Sequence, residues 1–417
     1  MNQKQSFWRY ENTVLIMMFF TFGFVFMERL SIVYLFPFIG PDLKLSNAQI
    51  GMIVSILAVT WAISGWVFSS ISDSIGSKRK VLLPITLAFS ILSFISGVVS
   101  NFASMLVVRG LMGISEGPVL PIAQSAVIAE STPSRRGFNA GFLQSSLGLI
   151  GSTITPIIVT MVATKYSWHG AFYLVGIPGL IMFLVLAKWM REPGKVQNDP
   201  HAHKKISKAE MKQVYKHRNV WLCTIISAFF MTWLFAFTTF APEYLTQVDH
   251  FNGKQMGLIM AAIGFGSFVW GFIAPAISDK IGRKPTLIIF SIIASLSPLC
   301  LALIHGSLGL MMVLGFFTAV GQGCFPLFMS IIPGDSLPVG LVATAISVTQ
   351  LVGEIVGGTL APSLGGFAAD AWGLQAPLYI AFGGALVGAL IACGLKESAP
   401  VKIGVVENPL STIQIKS

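Results

Sequence analysis

Twelve apolar runs, each about twenty residues or longer, recur along the 417-residue chain, and no other feature constrains its fold as much. They lie near 13–39, 47–71, 81–100, 103–129, 137–163 and 169–190, then near 220–245, 255–278, 285–304, 308–332, 340–367 and 375–395. A run of that length crosses a bilayer as a helix, because about 20 residues rising 1.5 Å each cover the ~30 Å hydrocarbon core. In lipid, only helices and closed barrels satisfy every backbone polar group. These runs are continuous rather than alternating, which excludes barrel strands. Charged residues make up 11% of the chain, against about 25% in soluble domains, so a soluble enzyme and a disordered chain are excluded too. The first run is too long for the apolar part of a cleavable signal. Cys223, Cys300, Cys324 and Cys393 all fall inside apolar runs and read as small packing residues. No disulfide, metal site or cofactor is expected.

The chain carries a net charge of +10. In a soluble protein that would suggest nucleic acid; here it follows from membrane topology, and no nucleic-acid partner is expected. Of the 27 Lys and Arg, 22 fall on one side of the membrane, three (Lys44, Lys165, Lys254) on the other, and two (Arg29, Arg109) inside it. The positive-inside rule then predicts both termini in the cytoplasm and a multi-pass protein of the cytoplasmic (inner) membrane. The long polar segment 191–219 separates six spans from six. It reads as a basic cytoplasmic linker able to touch anionic lipid, with a bundle at 1–190, a second at 220–396 and a cytoplasmic tail at 397–417.

The two halves repeat at an offset of 206. Ile71-Ser72-Asp73 returns as Ile277-Ser278-Asp279, Gly51 as Gly257, Gly65 as Gly271, and Glu116-Gly117 as Gln322-Gly323. In the fifth and eleventh spans, Gln144, Gly151, Thr153 and Pro156 return as Gln350, Gly357, Thr359 and Pro362. A parallel repeat of six helices implies two pseudo-symmetric bundles with a substrate site between them, near the midplane.

On these residues the chain resembles the major facilitator superfamily. Gly65…Asp73-Ser74-Ile75-Gly76-Ser77-Lys78-Arg79-Lys80 resembles its signature loop between helices 2 and 3. Gly271…Asp279-Lys280-Ile281-Gly282-Arg283-Lys284 resembles the second-half counterpart. The resemblance implies an all-α polytopic fold of two six-helix bundles, working as a monomer by alternating access. It also implies a gate at Asp73, Gly76, Lys78, Arg79, Asp279, Gly282 and Arg283, whose pairing with helix ends favours the outward-open state. The plainer alternative is that the basic residues of the loop only fix topology.

Ionisable residues inside a membrane cost roughly 2.5–3.5 kcal/mol each and mark function by default. Five stand out: Glu28 and Arg29 in the first span, Arg109 and Glu116 in the fourth, Glu354 in the eleventh. Glu243, near the end of the seventh, reads as a vestibule residue. Arg109 and Glu116 are seven residues apart and share a helix face, ~10.5 Å apart along the axis. Two guanidiniums facing one cavity would attract an anion, ideally a carboxylate held in a bidentate fork. The alternative is mutual neutralisation within Glu28–Arg29 or Arg109–Glu116. Glu354 has no basic neighbour on its own helix, and is open to three roles: proton site, substrate contact or neutral interhelical hydrogen bond. Tyr34, Gln144, Trp233 and Gln350 are further candidates for the cavity wall.

A finer resemblance lies in the same residues. Phe26-Met27-Glu28-Arg29, Arg109-Gly110…Glu116-Gly117-Pro118 and Phe240-Ala241-Pro242-Glu243-Tyr244-Leu245 resemble patterns of the anion:cation symporter branch. That implies transport of a small organic anion, such as a sugar acid, with protons. Arg29 and Arg109 would bind substrate, and Glu116, Glu28 and Glu354 would carry protons. Phe26, Glu28 and Phe240 depart from the branch's Tyr, Asp and Trp, so the substrate can differ from its sugar acids. Export of amphipathic lipids or drugs by proton antiport is the competing reading. Against the drug type, the fifth span lacks a Gly before Pro156. A membrane-embedded enzyme is not expected, since neither a His-Glu-x-x-His pattern nor a nucleotide loop is present.

Overall fold

The computed structural model describes residues 10–75, 77–132, 135–191, 217–337 and 339–399. Twelve helices in it are long and apolar enough to cross a membrane. They are α1 (Tyr10–Leu43), α2 (Asn47–Ile75), α3 (Lys78–Ser96), α4 (Phe102–Glu130), α5 (Phe138–Lys165), α6 (Trp168–Trp189) and α7 (Arg218–Gln247). There follow α8 (Gly253–Ile281), α9 (Arg283–Leu303), α10 (Leu308–Ser336), α11 (Ala345–Trp372) and α12 (Gln375–Ala392). Most of the linker at 191–219 and of the tail at 397–417 lies outside the described residues.

The 206-residue repeat in the sequence is a repeat in three dimensions. Gly151 of α5 lets the backbone approach Phe26 of α1, and its counterpart Gly357 of α11 lets it approach Met231 and Thr232 of α7. Gly117 of α4 packs on Trp61 and Ser64 of α2, as Gly323 of α10 packs on Trp270 and Ala274 of α8. Close approach through small residues is how membrane helices associate where no hydrophobic force separates protein from lipid. One helical irregularity repeats as well. A π-helical stretch runs over Leu147–Ile154 in α5, and another over Glu354–Leu360 in α11. Pro156 and Pro362 follow directly, inside the continuous spans α5 and α11, where each removes a backbone donor from the helical ladder. Wide turns of this kind recur at functional sites.

One end of the molecule carries Lys78–Lys80, Arg135–Arg136 and Arg283–Lys284 and is termed the basic end; the other is the distal end. At the distal end the two halves are in contact. Gly51 of α2 sits against the Pro362 carbonyl of α11, and by symmetry Gly257 of α8 sits against the Pro156 carbonyl of α5. Side chains larger than hydrogen at either glycine would strike backbone. Ser55 and Ser363 share a hydrogen bond of 2.8 Å across the same seam. Asp370 of α11 closes it, accepting from the backbone N–H groups of Asn47 and Ala48, both at 2.9 Å. A carboxylate from one half thus caps the helix N-terminus of the other, where free N–H groups and the helix dipole favour negative charge.

That cap exists only while the distal end is closed. Asp370→Ala should cost this state about 1 kcal/mol, the usual worth of an N-cap, and shift the closed-to-open ratio roughly fivefold toward open. Spin-label distances between the α1–α2 and α7–α8 loops would read the shift, and an unchanged distribution would remove Asp370 from the closure.

Candidate functional site

Arg29 lies in the middle of α1, on the side facing the second half. Its guanidinium stands 4.4 Å from the Trp61 ring, and 5.6 Å from the rings of Phe26 and Phe235. Three rings from α2, α1 and α7 thereby screen one cation from water. The nearest carboxylate comes from the opposite half: Glu354 Oε2 of α11 is 3.9 Å from Arg29 Nη2. The two side chains are 7% and 14% exposed. At that distance the pair is Coulombic, and Glu354 Oε2 has no hydrogen-bond donor. Glu354 opens the π-helical stretch of α11, and Gly358, one turn on, leaves room for its carboxyl beside Phe235 and Ala58.

Arg109 is fully buried. Its Nη1 donates to the Glu28 carbonyl at 3.4 Å, and its guanidinium lies 5.2 Å from the Phe172 ring. Nε and Nη2 have no partner among the described residues. Both arginines line one small cavity, with Ile53, Leu57, Phe235 and Thr239 among its walls. Its volume, about 20 Å³, suits a water rather than an organic acid, so the site is narrow in this distal-closed state. Glu116 is fully buried, lacks a hydrogen bond, and lies within the electrostatic reach of both Arg29 and Arg109. Glu28, also fully buried, points instead toward Gly179 of α6.

The structure therefore brings Arg29, Arg109, Glu28, Glu116 and Glu354 into one charged cluster beside the seam between halves. Other candidates fall elsewhere. Tyr34 is buried closer to the distal end, within hydrogen-bonding reach of Ser152. Trp233 packs on Gly321, Phe230 and Phe237 inside the second half, away from the seam. Gln144 and Gln350 are exposed, each just before a π-helical stretch. Glu243 is fully buried rather than in an open vestibule, because the closed distal end presses it toward Gly40 of α1, where Gln247 donates to it.

At the basic end the loop residues bond within their own halves. Lys78 donates to Ser125 of α4, and Arg79 to the Ala187 carbonyl of α6. The Arg283 guanidinium holds Ser278, Asp279 and Asp335, the last at 3.2 Å. Gly282, the counterpart of Gly76 in the repeat, turns the chain with φ +112, a conformation that favours glycine. Gly76 itself and the side chain of Asp73 lie outside the described residues. Two contacts had no sequence signal. Asp370 corresponds to Thr164 in the repeat, so symmetry did not mark it, and the partner of Glu354 lies on a helix of the other half.

The family model of the Major Facilitator Superfamily matches residues 15–355 and 249–413, and the chain belongs to that family of multi-pass membrane transporters. A hexuronate transporter of Bacillus subtilis is 26% identical over 401 residues, covering 91% of this chain and 93% of that protein. A probable sulfoacetate transporter of Cupriavidus necator is 25% identical over 293 residues, 65% of each chain. In structure, a bacterial homologue of the human lysosomal transporter Spinster, inward-facing and unoccupied, superposes with a TM-score of 0.74 at 17% identity, covering 94% of this chain and 96% of that one.

The second signature loop also makes a pH-dependent prediction. Glu397, beyond α12, accepts from the backbone N–H of Arg283 at 2.8 Å and of Lys284 at 3.2 Å, and from Ser398 and Ala399 at 2.9 Å each. Burial pushes its carboxyl up, but the four N–H donors outweigh burial and hold it below its ordinary value of 4.5. A depressed carboxyl contributes its stability above the unfolded value and loses it as pH falls through the folded one. Protection of the Arg283 and Lys284 amides, corrected for intrinsic exchange, should be high at neutral pH and fall as pH drops through the folded value. Glu397→Gln should show low protection at every pH; high protection in that variant would contradict the assignment.

Proposed function

We propose that this transporter moves a small organic anion, a carboxylate of the sugar-acid class or one close to it, together with protons, by alternating access between the halves 1–190 and 220–396. The observation that carries this reading is the position of Arg29 and Arg109 on one cavity, with Nε and Nη2 of Arg109 unpaired, in a family whose relatives include a hexuronate and a probable sulfoacetate transporter. A carboxylate entering between the halves meets Arg29 first, and Arg109 behind it. The basic end faces the cytoplasm, with both termini and the linker there, because 22 Lys and Arg lie on that side. The carrier acts as a monomer in the cytoplasmic membrane, surrounded by lipid. With its distal end closed, the site is reached from the cytoplasm.

Proton coupling follows from shared charge. Ionised Glu116 draws on the field of Arg29 and Arg109. When an anion takes that field, the buried carboxylate is left without compensation and binds a proton; when the anion leaves, the proton leaves too. Glu28 has the same relation to Arg109. The gate residues Asp73, Gly76, Lys78, Arg79, Asp279, Gly282 and Arg283 would re-pair when the basic end closes.

Uptake into proteoliposomes, screened with sugar acids, aromatic acids, dicarboxylates and lysolipids, tests the substrate class; transport of lysolipids alone would overturn it. Arg29→Lys removes the fork while keeping the charge. It should weaken carboxylate binding roughly tenfold or more, as the loss of a charge-assisted hydrogen bond costs ~1.5–3 kcal/mol. Glu116→Gln should still exchange substrate but lose accumulation driven by a pH gradient. Full gradient-driven accumulation in that variant would move the coupling site elsewhere.

A further inference from the structure

We infer that Glu354 is the resident counter-anion of Arg29: it holds the arginine's charge while the carrier is empty, yields to the substrate carboxylate, and so lets the empty carrier reorient. The inference rests on the reading of Arg29 as the anion site.

The internal repeat separates what the fold needs from what it does not. At the 206-residue offset, Arg29 corresponds to Phe235 and Glu354 to Gly148. Phe235 is one of the rings on the Arg29 guanidinium, and Gly148 packs against Phe268. The same fold is therefore built in its other copy with neither charge. An ion pair added on one side only, at the seam, serves the site rather than the architecture.

The geometry suits a contact that must be given up. A hydrogen-bonded, bidentate Arg–carboxylate pair would compete with any substrate on equal terms. Here the separation is 3.9 Å and Glu354 Oε2 receives no hydrogen bond, so the contact is Coulombic and no hydrogen bond must break when it is given up. Gly358 leaves the carboxyl space, and at 14% exposure it can turn toward water when displaced. The need for a counter-ion is equally physical. Arg29 is enclosed by Trp61, Phe26 and Phe235, and a buried charge stripped of its partner is strongly destabilising. Without substrate, and without Glu354, the closing of the halves around that cation would be opposed. Glu116 also reaches Arg29 electrostatically, but it belongs to the same half and cannot draw the two halves together.

The test needs no substrate. Spin labels on Lys44 and Lys254 report the distal end in the empty, purified protein. Glu354→Gln should lower the distal-closed population severalfold, and the double variant Arg29→Gln/Glu354→Gln, which removes both charges, should restore it. An unchanged population in the single variant, or a double variant no more closed than the single, overturns the inference. In liposomes with galacturonate as the probe, Glu354→Gln should depress net efflux into galacturonate-free buffer about tenfold more than it changes exchange, for want of a compensated empty carrier. Equal losses in both modes would contradict it. The two readings fail separately. Intact charge coupling in the empty protein with no carboxylate binding at Arg29 sinks the substrate assignment alone. Carboxylate binding at Arg29 without that coupling sinks this one alone.

Discussion

An arginine in the middle of a membrane needs a partner, and in this protein the partner of Arg29 stands on the other half of the molecule. The 3.9 Å contact with Glu354 is the one ion pair among the described residues that bridges the seam at that depth. Everything around it follows from the cost of leaving such a charge alone. Aromatic rings shield it, Gly358 makes room for the acid, and Glu116 and Arg109 stand close behind. In the proposed cycle, an anion that binds there trades places with a side chain rather than filling an indifferent pocket. In that cycle, the shared demand for positive charge couples substrate, proton and conformation through one cluster.

Closure of the distal end is built differently, from backbone rather than charge. Gly51 on Pro362 and Gly257 on Pro156 are the same contact made twice by the repeat, so both sides of the seam shut with one geometry. The π-helical stretches in α5 and α11 lie just before those prolines. They place a wide turn beside the seam in each half, at the level where the site sits. Asp370 adds a capping charge to one side only. Symmetric packing thus supplies the hinge surfaces, and asymmetric charges supply the chemistry.

The spans, the repeat and the family could be read from the chain because each leaves a strong mark: length of apolar run, constant offset, and small residues where helices cross. The charged cluster was legible for the same reason, since ionisable residues inside apolar runs are rare. Contacts across the seam were not legible. Glu354 has no cation on its own helix, and nothing in local spacing pairs it with α1. Trp233 was a candidate for the cavity wall, and Gly321 makes a slot for its ring inside the second half. Glu243 looked exposed from its place near a helix end, but a closed distal end buries it. π-Helical stretches leave hydropathy unchanged and have no signature in composition.

An experimental structure with a bound organic acid tests most directly whether a carboxylate replaces Glu354 at Arg29. It should show the acid's carboxylate forked on the Arg29 guanidinium between Trp61 and Phe235, with the Glu354 side chain turned away. An acid bound elsewhere in the protein, with Arg29 and Glu354 still paired, would contradict it.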